Sequence, residues 1–154
     1  MLKSLLPLAL LLILCSSCKV TFITGYDSII DETATKMQHD FNLFFIKLSR
    51  TLCDKDPQNQ KIENFQDYYD NMEVDLTTLK NRTIYFGKKA QIVKKQVDVV
   101  DSVMHQVESL HKAGFKDVNC SVPGYDDKRD INNSVNTAFN GLIKLQQELK
   151  TTGK

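Results

Sequence analysis

Residues 62–111 read IENFQDYYDNMEVDLTTLKNRTIYFGKKAQIVKKQVDVVDSVMHQVESLH. Within them Ile62, Phe65, Tyr69, Met72, Leu76, Leu79, Thr83, Phe86, Ala90, Val93, Val97, Val100, Met104, Val107 and His111 fall alternately three and four residues apart. A helix repeats about every 3.6 residues, so this spacing gathers almost all the apolar side chains on one side. A stripe this long cannot bury itself, and the rest of the chain must supply faces for it. Two shapes satisfy the pattern. Either Gly87 breaks the stripe into two antiparallel helices, or the stripe is one rod of about 50 residues, since Gly costs a helix only about 1 kcal/mol relative to Ala.

The flanking segments supply two more helices. Asp27 or Ser28 is the expected N-cap of the first, which carries Ile30, Ala34, Met37, Phe41, Phe44 and Leu48 at the same spacing. Pro57 ends it and disfavours helical geometry in Asp56. The second helix is expected from about Gln60 to Phe86, and the third onward to Lys112. Gly114 takes the left-handed conformation at the stop, with Phe115 folding back. The fourth begins near Asp126 or Asp127 and carries Ile131, Val135, Ala138, Leu142, Leu145 and Leu149, fraying after residue 150. Four amphipathic helices joined by short loops read as an all-α, antiparallel up-down-up-down four-helix bundle over residues 27–150; the fused rod is the competing shape.

Composition narrows the function classes. Charged residues make up 25% and hydrophobic ones 42%, with six Gly and three Pro, as in one ordinary folded domain and unlike a β-sandwich or a disordered chain. Twenty Lys and Arg stand against 19 acids, and one of the twenty, Lys3, lies in the N-terminal leader, leaving a net charge of zero beyond it. A neutral chain has no global attraction for nucleic acid.

Residues 1–17 have a basic start at Lys3, an apolar run from Leu5 to Leu14 and a small polar end, the pattern of a secretory signal peptide. The run is too short for a bilayer core, which takes about 20 residues. Cys15-Ser16-Ser17-Cys18 follows, and here the chain resembles the lipobox of bacterial lipoproteins, with Cys18 after a small residue; Cys15 stands where that family usually has Leu. The resemblance implies cleavage before Cys18, acyl chains (palmitate among them) on that cysteine, and a lipidated tether over residues 18–26. Several acyl chains anchor stably where one does not. Lys19 after the cysteine favours the outer over the inner membrane by the same analogy. Beyond the leader, the chain resembles no family whose activity could be carried over.

Cys53 and Cys120 are the thiols left after Cys18, and an oxidising envelope makes them a candidate disulfide. In an up-down-up-down bundle they lie at the same end, and the bridge would be worth about 3–5 kcal/mol. In a fused rod they would be about 75 Å apart, far beyond disulfide reach.

Catalytic signals are thin. His39, His105 and His111 are not spaced as a zinc-protease pair, and neither a Gly-x-Ser-x-Gly nor a glycine-rich phosphate loop occurs. Glu108-Ser109-Leu110-His111 matches one Glu-x-x-His step of di-iron bundles, which need two such steps and further Glu residues. A lone His ending a stripe reads instead as a half-exposed packing residue or a helix-end cation. No catalytic residue, cofactor or metal ligand is assigned.

One charge feature stands out. No acid lies between Asp75 and Asp98, while Lys80, Arg82, Lys88, Lys89, Lys94 and Lys95 all do. In the bundle this basic end also holds the tether, so it could face anionic head groups, at about 1 kcal/mol per well-placed basic residue. The opposite end gathers Asp54, Asp56, Glu63, Asp67, Asp117, Asp126, Asp127 and Asp130, a candidate partner surface. The reading is a membrane-anchored, non-enzymatic envelope lipoprotein that binds or scaffolds a partner. The alternatives are a metal- or cofactor-carrying bundle or enzyme, and a rod that oligomerises.

Overall fold

The computed structural model describes residues 26–51, 56–87, 91–114 and 127–152. Over them the chain forms four α-helices: α1 (Ser28–Thr51), α2 (Gln66–Ile84), α3 (Gln91–Lys112) and α4 (Asp127–Thr152). No strand occurs among the described residues. Helix α1 packs on α2 and α4, and α3 packs on the same two, which closes a square with one core.

Cross-helix bonds fix the directions. The start of α1 meets the end of α2 through Asp27 and Arg82 and the end of α4 through Asp27 and Gln146. The end of α3 meets the start of α2 through His111 and Tyr69. Neighbouring helices therefore run antiparallel, the arrangement of an up-down-up-down bundle. The leader, Cys18 and the tether before Tyr26, Cys53, Cys120, Lys88 and Lys89 lie outside the described residues.

The buried positions follow the helical period. Ile30, Ala34, Met37, Phe41, Phe44 and Leu48 line the inner face of α1, and Asp27 is its cap, with Oδ1 accepting from the backbone N–H of Ile29 (2.9 Å) and Ile30 (3.3 Å). Helix α2 buries Tyr69, Met72, Leu76, Leu79 and Thr83, and α3 buries Val93, Val97, Val100, Met104, Val107 and His111. The long stripe thus serves two helices. It breaks after Ile84, where Tyr85 has ψ near 0° and the Phe86 N–H turns back to the Thr83 carbonyl (3.2 Å). The fused rod is excluded.

Two expectations need correction. Helix α2 does not start near Gln60; two 3₁₀ turns, Pro57–Gln60 and Ile62–Phe65, precede it, separated by an extended Lys61 (φ −66°, ψ 140°). The carbonyls of this segment have left the helical ladder for other partners: Gln60 O accepts from His111 Nε2 (2.7 Å) and Gln58 O from Asn64 Nδ2 (2.7 Å). Helix α4 is rotated from its expected stripe. Phe139 and Gln146 are fully buried, while Leu145 and Leu149 are only half-buried. Gln146 is inside because its Oε1 accepts the Asp27 N–H (2.9 Å), just ahead of α1.

Candidate functional site

The α1–α2 seam opens into a groove of about 400 Å³ in the half of the bundle remote from the Asp27 end. Its floor is apolar, from Met37, Met72 and Met104, and its wall aromatic, from Phe44, Phe65 and Tyr68. The wall is interlocked: Phe44 stacks on Tyr68 (centroids 4.1 Å apart, planes 3° from parallel) and meets Phe65 edge-on at 5.4 Å. Asp40, Asp67, Asp75 and Lys47 stand at the rim.

Polar groups in the groove are unequally provided for. Lys36 reaches Asp75 (2.7 Å) and Asp40 (3.1 Å), and the Asp75 carboxylate holds its ammonium above the ordinary lysine value despite some burial. Asp67 has no ion-pair partner among the described residues. The Tyr68 hydroxyl oxygen is shielded from solvent yet has no hydrogen-bond partner among the described residues, and burial pushes its titration well above the ordinary phenol range. A sheltered hydroxyl without a partner costs free energy that a ligand group can recover.

Beside the groove sits an aromatic box around His111. This histidine is neither half-exposed nor a helix-end cation, as its place at the end of the stripe suggested; it is 3% exposed. Its Nε2 donates to the Gln60 carbonyl, which can only accept, so in the neutral ring Nδ1 accepts from the Tyr69 hydroxyl (2.9 Å). Burial lowers its titration below the usual histidine value, opposed more weakly by the Gln60 bond and by Glu63. The box is structural: both ring nitrogens serve to dock the 3₁₀ segment and α2 onto the end of α3.

A third feature lies on the α2–α3 face. Glu73 of α2 and His105 and Glu108 of α3 bring an imidazole nitrogen and two carboxylate oxygens within 4.8 Å of one another. The sequence holds half of this: His105 and Glu108 are three apart on one helix, hence on one face. Glu73 joins them only through the register of α2 against α3, which no local pattern encodes.

The basic residues singled out in the sequence are distributed rather than pooled. Lys80 pairs with Asp101 (2.6 Å), Arg82 with Asp27 (2.6 Å) and Lys94 with Asp98 (3.0 Å); Lys95 is exposed. The same end exposes apolar surface that the charge pattern did not signal: Ile84 is 67%, Tyr85 89% and Ile92 58% exposed. Of the acidic end, Asp67 borders the groove, Asp56 caps the first 3₁₀ turn through Gln58 N (2.9 Å), and Glu63 and Asp130 are exposed. Asp127 opens α4, while Asp54, Asp117 and Asp126 lie outside the described residues.

No helix among the described residues is long and apolar enough to cross a membrane. Comparison with known proteins gives no match: no family model, curated protein or solved structure matches the chain.

Proposed function

We propose that this chain is a non-enzymatic, lipid-anchored binding bundle of the bacterial envelope, held at the membrane through Cys18 and binding a small amphiphilic cation in the α1–α2 groove. The observation that carries the binding role is the groove itself, with its methionine floor, stacked aromatic wall and sheltered Tyr68 hydroxyl. Methionine is adaptable and polarizable, which suits a floor for varied apolar bodies. The charge sense follows from the rim, where Asp40, Asp67 and Asp75 outnumber Lys36 and Lys47. An ammonium head would sit against Asp67 with Tyr68 Oη accepting one of its N–H bonds.

The orientation has its own support. Ile84, Tyr85 and Ile92 are exposed at the end where α1 begins, and Lys88 and Lys89 follow Tyr85 closely in the sequence. An aromatic ring flanked by lysines is the composition favoured at a membrane interface. The groove then opens in the half of the bundle facing away from the lipid.

Calorimetric titration with alkylammonium and alkyl sulfate ions of equal chain length tests the groove. The ammonium series binds more tightly, and Asp67→Asn and Tyr68→Phe each weaken it about tenfold or less. Equal binding of both head groups, or variants that bind as the parent does, would overturn the assignment. For the anchor, Cys18→Ser abolishes palmitate labelling and leaves unprocessed precursor; undiminished labelling would refute it.

A further inference from the structure

We propose that Glu73, His105 and Glu108 form a Zn²⁺ site that staples α2 to α3, independent of the groove. His105 Nδ1 lies 2.9 Å from the backbone carbonyl of Asp101, one helical turn back, and 3.3 Å from the Asp101 carboxylate. The carbonyl can only accept, so Nδ1 carries the proton, and the neutral ring presents the lone pair of Nε2. That nitrogen faces Glu73 Oε1 at 2.8 Å. Two lone-pair donors at this distance need a positive species between them. It is a proton, giving an imidazolium–carboxylate pair, or a cation that replaces it.

Glu108 adds a third donor, which a proton does not use and a metal ion does. Zinc–nitrogen and zinc–oxygen bonds of about 2.1 Å in a tetrahedron hold ligand atoms about 3.4 Å apart. The separations here, from 2.8 Å to at most 4.8 Å, bracket that value and are within reach of small side-chain rotations. One imidazole and two carboxylates suit zinc better than magnesium or calcium, which prefer all-oxygen shells. The fourth position faces solvent, since Glu73 and His105 are about half exposed.

The outer shell is also in place. The Asp101 backbone carbonyl orients His105, and the Asp101 carboxylate beside it is paired with Lys80 Nζ at 2.6 Å. A backbone carbonyl behind a ligating histidine fixes its tautomer. Lys112, 2.7 Å from Glu108 Oε1, is the competitor that zinc must displace, and its exposed chain can swing away.

Metal-stripped protein titrated with Zn²⁺ against a chromophoric chelator, and with Co²⁺ as a spectroscopic probe, tests the site. The expected result is one ion per chain, a Co²⁺ visible spectrum of low coordination number, and a melting temperature raised by Zn²⁺ but not by Mg²⁺. His105→Ala and Glu73→Gln each weaken binding at least about tenfold, while His39→Ala, at an exposed position on α1, leaves it unchanged. Both ligands are exposed, so metal-free variants keep the parent's melting temperature and remain folded controls. Zinc binding that survives His105→Ala would overturn the proposal. So would a near-ultraviolet thiolate band with Co²⁺, which would assign the ion to cysteine.

Discussion

At the scale of a residue, His111 couples the packing of this bundle to pH. The ring is enclosed by Phe44, Phe65 and Tyr69, and its two nitrogens are committed to the Gln60 carbonyl and the Tyr69 hydroxyl. Protonation puts a second N–H against Tyr69, whose hydroxyl can then no longer donate to the ring. Burial therefore lowers the folded-state titration below the unfolded value of about 6.5. The sign follows: as pH falls below about 6.5 the unfolded chain takes up a proton that the folded chain refuses. The contribution is fully present above that pH and is lost below it. Urea unfolding at pH 7.5 and 5.5 should show a larger loss of stability for the parent than for His111→Gln; parallel losses would show that this ring does not titrate with folding. Tyr69→Phe removes the donor to Nδ1 and should cost about 1–2 kcal/mol at pH 7.5, measured the same way.

At the scale of an element, the two helix ends that involve glycine work differently. Gly114 has φ +77°, and its N–H donates to the His111 carbonyl at 2.8 Å, so the chain reverses there through a conformation that penalises a Cβ. Gly87 has no positive φ, and a Cβ built on it meets nothing within 4 Å. Gly114→Ala should thus cost about 1–2 kcal/mol by chemical denaturation, whereas Gly87→Ala should be nearly neutral and leave the hydrodynamic radius unchanged. Elongation of the Gly87 variant would mean that glycine alone keeps the stripe from fusing. Periodicity made the buried faces of α1, α2 and α3 legible, because each buries one stripe at helical spacing, apolar but for Thr83 and His111. It failed on α4 because Gln146 is polar and its burial answers a need of another helix, the Asp27 N–H. It failed at residues 57–65 because tertiary acceptors compete there with the helical ladder. The groove and the Glu73–His105–Glu108 cluster were illegible for a related reason: both depend on the register between helices, and a single helix carries only its own half.

At the scale of the whole molecule, the two ends of the bundle are held in different ways. The end with the aromatic box is closed by stacked rings, and the other by one carboxylate. Asp27 caps α1 with Oδ1, while Oδ2 takes Arg82 Nε at 2.8 Å and a terminal guanidinium nitrogen at 2.6 Å from the end of α2. Its own N–H binds Gln146 near the end of α4. Three helices thus meet at a residue whose side chain is only 8% exposed, where an ion pair is less screened by solvent than an ordinary surface pair. The consequence is a graded pair of variants. Asp27→Asn keeps a capping oxygen but loses the charge facing Arg82, and should cost about 1 kcal/mol. Asp27→Ala loses both and should cost about 2–3 kcal/mol, with hydrogen exchange quickening first in the opening turn of α1 and the last turns of α2 and α4. Because the groove lies at the far half, ligand affinity in Asp27→Asn should match the parent. Faster exchange confined to α1, with α2 and α4 still protected, would show that Asp27 is a local cap and that the three helix ends are held together by something else.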